Sequence, residues 1–257
     1  MNFNYCFKSD IGTTRESNQD SVYANVVKTS SAKAFMGLVC DGMGGLANGK
    51  LASQTVADAF CGWFENRFSE NISSEAPAEY IFSEWDSLIT DSNNTLIEMS
   101  KSFGEQMGTT LSVLLIYNGE YYAAQVGDSR IYRLTNGSAV QVTKDHSYVM
   151  EMVSKGMMTE TEARLSKERN VLTRCIGAVS EVRGDLYNGT VLNGDTFLIT
   201  SDGFHGRQSP EDIRGVLTEL STCRHGRIEK KLTDLIEFRK KNGEKDNITA
   251  LVVTAKL

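Results

Sequence analysis

Apolar and polar positions follow two periods along this chain, and the switches between them outline its elements. Residues 34–40, Ala-Phe-Met-Gly-Leu-Val-Cys, form an unbroken apolar run of strand length that stops at Asp41-Gly42. Glycines follow. A helix is then expected from about Gly49, with Ala52, Val56, Ala59, Phe60, Trp63 and Phe64 on one stripe at helical spacing. A second helix is predicted over 78–102, its core face made of Ile81, Trp85, Leu88, Ile89, Leu96 and Met99. Strand-length runs come next, at 111–117, 120–126, 131–134 and 139–143. Asn118-Gly119 and Asn136-Gly137 lie between them, and Asn-Gly readily takes the positive backbone angles of a type I′ turn. The strands flanking each are therefore expected to be antiparallel neighbours. Gly127-Asp128-Ser129 reads as another tight turn, equally able to serve as a hairpin connection.

Residues 147–170 read as helical and irregular. Strands are expected again at 182–186, 190–192 and 196–200, then helices over 210–220 and 227–240, and a closing strand over 248–254. Strands at both ends, long helices in two pairs and many antiparallel turns, without regular βαβ alternation, give the fold class α+β. The expected layering is two antiparallel β-sheets packed as a sandwich, flanked by pairs of helices (αββα). No linker-like stretch divides the 257 residues, whose only prolines are Pro77 and Pro210, so one domain over 1–257 is expected.

Charge narrows the partners. The net charge is −6, which argues against a nucleic-acid or anionic-membrane surface. Lys230-Lys231 and Arg239-Lys240-Lys241 fall on a helical stretch also rich in acids and read as its solvated face. No apolar stretch approaches the roughly 18 residues that span a bilayer. Met1-Asn2-Phe3-Asn4 lacks the basic-then-apolar pattern of an export signal, so a cytoplasmic protein is expected. The cysteines Cys6, Cys40, Cys61, Cys175 and Cys223 have no paired spacing and read as reduced thiols, with Cys40 pointing into the core opposite Asp41.

Five acidic clusters carry the candidate chemistry: Asn18-Gln19-Asp20, Asp41-Gly42-Met43-Gly44-Gly45, Gly127-Asp128-Ser129-Arg130, Ser201-Asp202-Gly203 and Asp246-Asn247. Any single Asp-Gly is ordinary turn chemistry. Several carboxylates at strand ends, with Arg15 ahead of Asp20, point instead to oxygen ligands converging on divalent cations. A phosphate ester needs such a site, because its dianion repels hydroxide. Two ions about 3.5–4 Å apart screen the phosphoryl oxygens and acidify a shared water. Asp41, at the end of a buried strand, is placed to bridge two ions, and Gly42, lacking a side chain, lets its carbonyl reach one. The planar fork of Arg15 suits two phosphoryl oxygens.

With these motifs in hand, the chain resembles the metal-dependent Ser/Thr protein phosphatases, the type 2C (PPM) family, in their bacterial form. The resemblance is carried by Arg15 through Asp20, Asp41 through Gly45, Gly108-Thr109-Thr110, Gly127 through Arg130, Ser201-Asp202-Gly203 and Asp246-Asn247-Ile248-Thr249, in family order over residues 12–254. It implies hydrolysis of phosphoserine and phosphothreonine in proteins by in-line attack of a metal-bridging hydroxide, with no phosphoenzyme intermediate. It implies Mn²⁺ or Mg²⁺, two ions per active site and a weaker third. Among site residues, it implies Asp41 as the bridging ligand, Gly42 as a carbonyl ligand, and Asp202 and Asp246 as further ligands of the first ion. Asp20 is implied near the metals, Asp128 at the third ion and Arg15 as the phosphate clamp. Residues 145–177 resemble the family's flap, and phosphoprotein substrates and a cognate Ser/Thr kinase are the implied partners.

Some positions depart from the family pattern. Gln19 stands where many relatives carry Glu, which predicts weaker binding of the second ion. Met43 replaces a His proposed as general acid in eukaryotic relatives. Phe204-His205-Gly206 lacks a second aspartate for the third ion, and His205 reads as a solvated loop residue. Ser166-Lys167 stands where a His-Pro pair is common. Two rivals are weaker. Gly42-x-Gly44-x-x-Ala47 nominally fits a dinucleotide-binding turn, but Asp41 beside a pyrophosphate and the hairpins downstream oppose it. A catalytically silent phosphoprotein binder would tolerate loss of Asp41, Asp202 or Asp246, and all three are present.

Overall fold

The computed structural model describes residues 1–45, 48–72, 76–223 and 225–256. Two antiparallel sheets form its middle. Strands β1 (Asn2–Asp10), β2 (Asp20–Lys28), β3 (Lys33–Gly44), β4 (Met107–Thr109), β5 (Leu111–Tyr117), β6 (Glu120–Val126), β7 (Arg130–Thr135), β8 (Ser138–Gln141), β9 (Asp185–Thr190), β10 (Thr196–Thr200) and β11 (Ile248–Lys256) follow in chain order. One sheet runs β1-β11-β10-β7-β8 and the other β2-β3-β5-β6-β9, with β4 paired to the far end of β3. The longer helices are α1 (Asn48–Trp63), which continues through a π-helical turn Phe64–Phe68 into α2 (Ser69–Asn71), and α3 (Pro77–Phe103). Short helices α4 (Tyr148–Ser154), α5 (Glu160–Leu165) and α6 (Asp202–His205) precede α7 (Pro210–Thr222) and α8 (His225–Lys241).

The period of two along the central strands sorts their side chains into three cores. On β3, Ala34, Met36, Leu38 and Cys40 face Val56, Phe60, Trp63 and Trp85 of α1 and α3. Phe35 and Val39, with Leu114 of the neighbouring β5, face the opposite sheet, where they join Phe197, Leu251 and Val253. On β11, Ile248, Ala250 and Val252 turn outward to Ile213, Leu217, Leu232 and Ile236 of α7 and α8. The layers are therefore helices, sheet, sheet, helices, as the hydrophobic pattern predicts. Both strands are covered on both faces, which is why they read as continuous apolar runs.

Several boundaries differ from the sequence reading. The strands expected at 182–186 and 190–192 are one strand, β9 (Asp185–Thr190), because the whole of this stretch pairs with β6. Gly127-Asp128-Ser129 makes no hairpin: β6 and β7 belong to different sheets, and the turn carries the chain between them. Both Asn-Gly pairs do make tight turns, with φ of 50° and 83° at Asn118 and Gly119 and 48° and 78° at Asn136 and Gly137. The strand after the helix pair, β5, runs antiparallel to β3, which removes the parallel crossover that a dinucleotide-binding turn requires. Ala47 of that motif lies outside the described residues. Among the described residues no helix is long and apolar enough to cross a membrane.

Candidate active site

The acidic clusters meet at one end of the sandwich. Asp20 opens β2 and is the register partner of Asp41 on β3. Asp128 lies in the crossover after β6, Asp202 begins α6 directly after β10, and Asp246 precedes β11. Each of these side chains is thus set by the end of a strand or its crossover rather than by a free loop.

Hydroxyls and amides lock the arrangement. The Asp41 N–H donates to Thr110 Oγ1 at 2.9 Å, and the Asp41 carbonyl accepts from Thr110 N at 2.9 Å and Thr109 Oγ1 at 3.0 Å. Thr110 Oγ1 in turn bonds Ser129 Oγ at 2.7 Å, tying β3 to the turn that carries Asp128. One oxygen of Asp20, Oδ2, accepts from Ser201 Oγ at 2.8 Å and Thr249 Oγ1 at 2.6 Å. Asn247 braces the segment ahead of Asp20: its Nδ2 donates to the carbonyls of Ile11 and Ser17, and its Oδ1 accepts from Gln19 N at 2.8 Å. Backbones approach closely enough here that glycine is required. A Cβ at Gly42 would stand 2.0 Å from the Gly49 carbonyl oxygen, and one at Gly203 would stand 2.1 Å from that of Asn247.

The carboxylates repel one another through this dry environment. Asp41 and Asp128 are pushed well above the ordinary aspartate range, by burial first. Neighbouring acids add to this: Asp20, Asp202, Asp128 and Asp246 act on Asp41, and Asp202 and Asp145 on Asp128. Burial likewise raises Asp20 to about 7, against the lowering hydrogen bonds from Thr249 and Ser201. Asp202 is raised to about 6, by burial and then by Asp246 and Glu244. Buried oxygens Asp20 Oδ1 and Asp202 Oδ1 have no hydrogen-bond partner. Buried carboxylate oxygens in this state call for either protons or a cation.

Arg15 supplies positive charge at Asp246. Its Nε and Nη2 fork onto Asp246 at 2.7 and 2.6 Å, while half of its side chain stays exposed. Among the described residues no group of three or more His, Cys, Asp or Glu already stands as a set that could hold an ion. Asp246 is turned onto Arg15, and half of Asp20 is occupied by hydroxyls. The donors nevertheless fit a hard divalent cation: all are oxygen, Asp20 and Asp128 are buried, and the buried Asp20 Oδ1 and Asp202 Oδ1 are unpartnered. Opening the Arg15 fork is what would free Asp246. An open cleft of about 380 Å³ lies beside these residues, lined by Arg15, Asp202, Asp246, Arg169, Arg207 and Lys245. Its basic wall contrasts with the acidic net charge of the chain.

The segment 145–177 is pinned at both ends to this site. His146 N donates to the Gly127 carbonyl at 2.9 Å, and Gly127 N donates to His146 Nδ1 at 3.2 Å. At the other end, Ile176 and Thr109 exchange backbone hydrogen bonds of 3.0 Å. One residue read from sequence behaves differently. His205 is buried and not solvated: its Nδ1 meets Thr200 Oγ1 at 2.9 Å, its ring stands edge-on to Tyr132, and burial holds its pKa well below the usual value. Gln19 turns its amide nitrogen onto the Gly45 carbonyl at 3.3 Å. Ser201, Thr249, Thr110, Ser129 and Asn247 received no role from sequence, although all lie inside the quoted motifs. For Ser129, Ser201 and Asn247 the signal was a hydroxyl or amide residue next to an acid; Thr110 carried none.

A family model described as protein phosphatase 2C matches residues 13–240. The chain belongs to the protein phosphatase 2C family. It is 32% identical over 251 residues to protein phosphatase PhpP of Streptococcus pneumoniae, covering 96% of this chain and 95% of that protein. It is 31% identical to serine/threonine protein phosphatase PstP of Mycobacterium tuberculosis, but spans only 44% of the length of PstP. Among solved structures, the S. agalactiae serine/threonine phosphatase superposes with a TM-score of 0.84 at 32% identity, over 99% of this chain and 100% of that one. The catalytic domain of PstP in complex with two manganese ions gives 0.80 at 28% identity, over 99% of each chain. The α+β sandwich is the fold of these phosphatases.

Proposed function

We propose that this chain hydrolyses phosphoserine and phosphothreonine esters in proteins, using Mn²⁺ or Mg²⁺ held by the carboxylates at the end of the sandwich. The observation that carries the reading is the meeting of five aspartates from separate segments, two of them with unpartnered buried oxygens, beside an arginine fork. Asp41 would bridge two ions, joined by the Gly42 carbonyl, Asp202 and Asp246. Asp20 would act near the pair, and Asp128 would hold a weaker third ion. When bound, such a pair supplies a hydroxide for in-line attack on phosphorus with no phosphoenzyme intermediate.

The protein's own groups would do the rest. Arg15 would exchange its carboxylate partner Asp246 for the phosphoryl oxygens, since both present the same bidentate geometry to a guanidinium. Ser201 and Thr249 would hold Asp20 Oδ2 in place, leaving the buried Oδ1 free to accept a hydrogen bond. The whole chain would act as one phosphatase domain, with 145–177 as a flap over the cleft. Phosphorylated proteins are the substrates in this reading, with a Ser/Thr kinase as the opposing enzyme. Release of inorganic phosphate from a phosphothreonine peptide, measured with Mn²⁺ and then with excess chelator, tests it. Turnover that survives the chelator would count against the metal, and no turnover at all would count against the activity.

A further inference from the structure

We propose that the cavity beneath residues 145–177 is a substrate subsite for a large apolar or aromatic side chain flanking the phosphorylated residue. The inference rests on the phosphatase reading above and adds to it a preference in substrate sequence. The cavity has a volume of about 280 Å³ and adjoins the catalytic cleft, with which it shares Arg169, Asn170, Asp202 and Gly206 as lining. An extended chain advances about 3.3–3.6 Å per residue. A polypeptide with its phosphorylated residue at Asp202 would therefore bring a near neighbour to the cavity mouth.

The walls decide what enters. Tyr132 and Val140 of β7 and β8 and Ile213 of α7 form one side, and Val149, Met150 and Ala163 of α4 and α5 form the other. Tyr132, Val149, Ala163 and Ile213 are buried, so this apolar lining is formed in advance of any ligand. Both signs of charge line the cavity, with Asp128, Asp202 and Arg169 at the side of the cleft. Arg130 is held bidentately by Asp145 at 2.8 and 2.7 Å and also donates to the Tyr132 hydroxyl at 3.0 Å, which leaves it little pull on a second anion. Glu160 and Arg164 on α5 bring opposite signs. His205 contributes an aromatic face, its Nδ1 already bonded to Thr200. An uncharged ring or alkyl chain meets apolar carbon, a tyrosine ring and the Met150 thioether there. A cavity of about 150 Å³ is enough for benzene. The volume here accommodates the side chain of Phe, Leu or Met.

The test uses the full chain with Mn²⁺ and a panel of phosphothreonine peptides. Each peptide carries Phe or Ser at one of the two positions before or after the phosphorylated residue. The wild-type protein should prefer Phe at one of these positions by about tenfold in kcat/KM, the scale of filling an apolar enzyme pocket. Filling the cavity with Ala163→Phe, or with Val140→Trp on the exposed edge strand should the first variant fail to fold, should bring that Phe-to-Ser ratio close to one. The ratio is read within each variant, so a general loss of activity does not obscure it. Equal rates for all peptides with the wild-type protein would overturn the subsite while leaving the phosphatase intact. A ratio that survives in the folded variants would overturn it as well. No turnover of any phosphopeptide would instead remove the phosphatase reading beneath it.

Discussion

Asp20 and Asp41 are register partners across β2 and β3, two carboxylates set opposite each other by the same strand pairing that builds the sheet. Like charges directly opposite destabilise an antiparallel pair. Ser201 and Thr249 relieve only one oxygen of Asp20, and its other oxygen has no partner. Asp202 and Asp246 add further repulsion to both. The stability that the sandwich cores provide is here spent on holding acids together, a repulsion that the proposed cations would relieve.

The strain should show as a pH dependence in the metal-free protein. The folded value of Asp20, about 7, lies above the ordinary aspartate value of about 3.9. A group raised in this way contributes stability that is fully present below the unfolded value and is lost as pH rises through the folded one. Asp20→Asn cannot ionise and keeps the two hydroxyl donors supplied with an acceptor. We expect metal-free Asp20→Asn to match the wild type near pH 4 and to exceed it at pH 8 by ~1 kcal/mol or more, about 2–4 °C or more in Tm. Thermal melts in chelator across this range check it. A difference between the two proteins that stays constant with pH would contradict the electrostatic account.

In the proposed mechanism Arg15 would be shared between two uses. Its fork onto Asp246 would compete both with a phosphoryl group for the guanidinium and with a cation for the carboxylate. Arg15→Ala should therefore raise KM for a phosphopeptide by roughly tenfold with a smaller change in kcat, because the clamp acts in ground and transition states alike. The same variant should bind Mn²⁺ more tightly, since Asp246 loses its competing partner. Steady-state kinetics and calorimetric Mn²⁺ titration measure the two effects separately. An unchanged KM would argue against the clamp, and weaker metal binding would argue against the competition.

Gly42 tests the backbone geometry. A methyl group at this position would meet the Gly49 carbonyl oxygen at 2.0 Å, and both partners are main chain, so neither can rotate away. Gly42→Ala should cost about 2–3 kcal/mol or more, the upper range for overpacking a tight interior, and should impair metal binding along with stability. Denaturant unfolding checks the first effect. A variant as stable as the parent would mean that β3 and α1 separate more readily than their contact implies.

Much of this was legible from residue order. The apolar run 34–40 ending at Asp41 announced β3, and the helical stripe from Ala52 to Phe64 announced α1, because period and length both reflect which faces are buried. The acids were equally visible, since each stands where a run of strand-forming residues begins or ends. The crossover at Gly127-Asp128-Ser129 was not legible. A tight turn has the same local chemistry whether it joins neighbours in one sheet or strands in two, and only the partners of β6 and β7 decide. The burial of His205 escaped for a similar reason. A histidine after Asp202-Gly203 looks like a loop residue until α6 is seen lying against Tyr132 and Thr200. The hydroxyl chain from Asp41 through Thr110 to Ser129 joins residues distant in sequence, and no spacing rule encodes it.

The central claim is that Asp41 and its neighbours work by holding divalent cations against a phosphate ester. Its most direct test is the initial rate of phosphate release from a phosphothreonine peptide, with the wild type and Asp41→Ala compared in Mn²⁺ and in chelator. We predict turnover only for the wild type with Mn²⁺, and a loss of more than about 10²-fold in Asp41→Ala, the scale of removing one electrostatic element from a transition-state site. Near-normal turnover by folded Asp41→Ala, or by the wild type stripped of metal, would contradict the account.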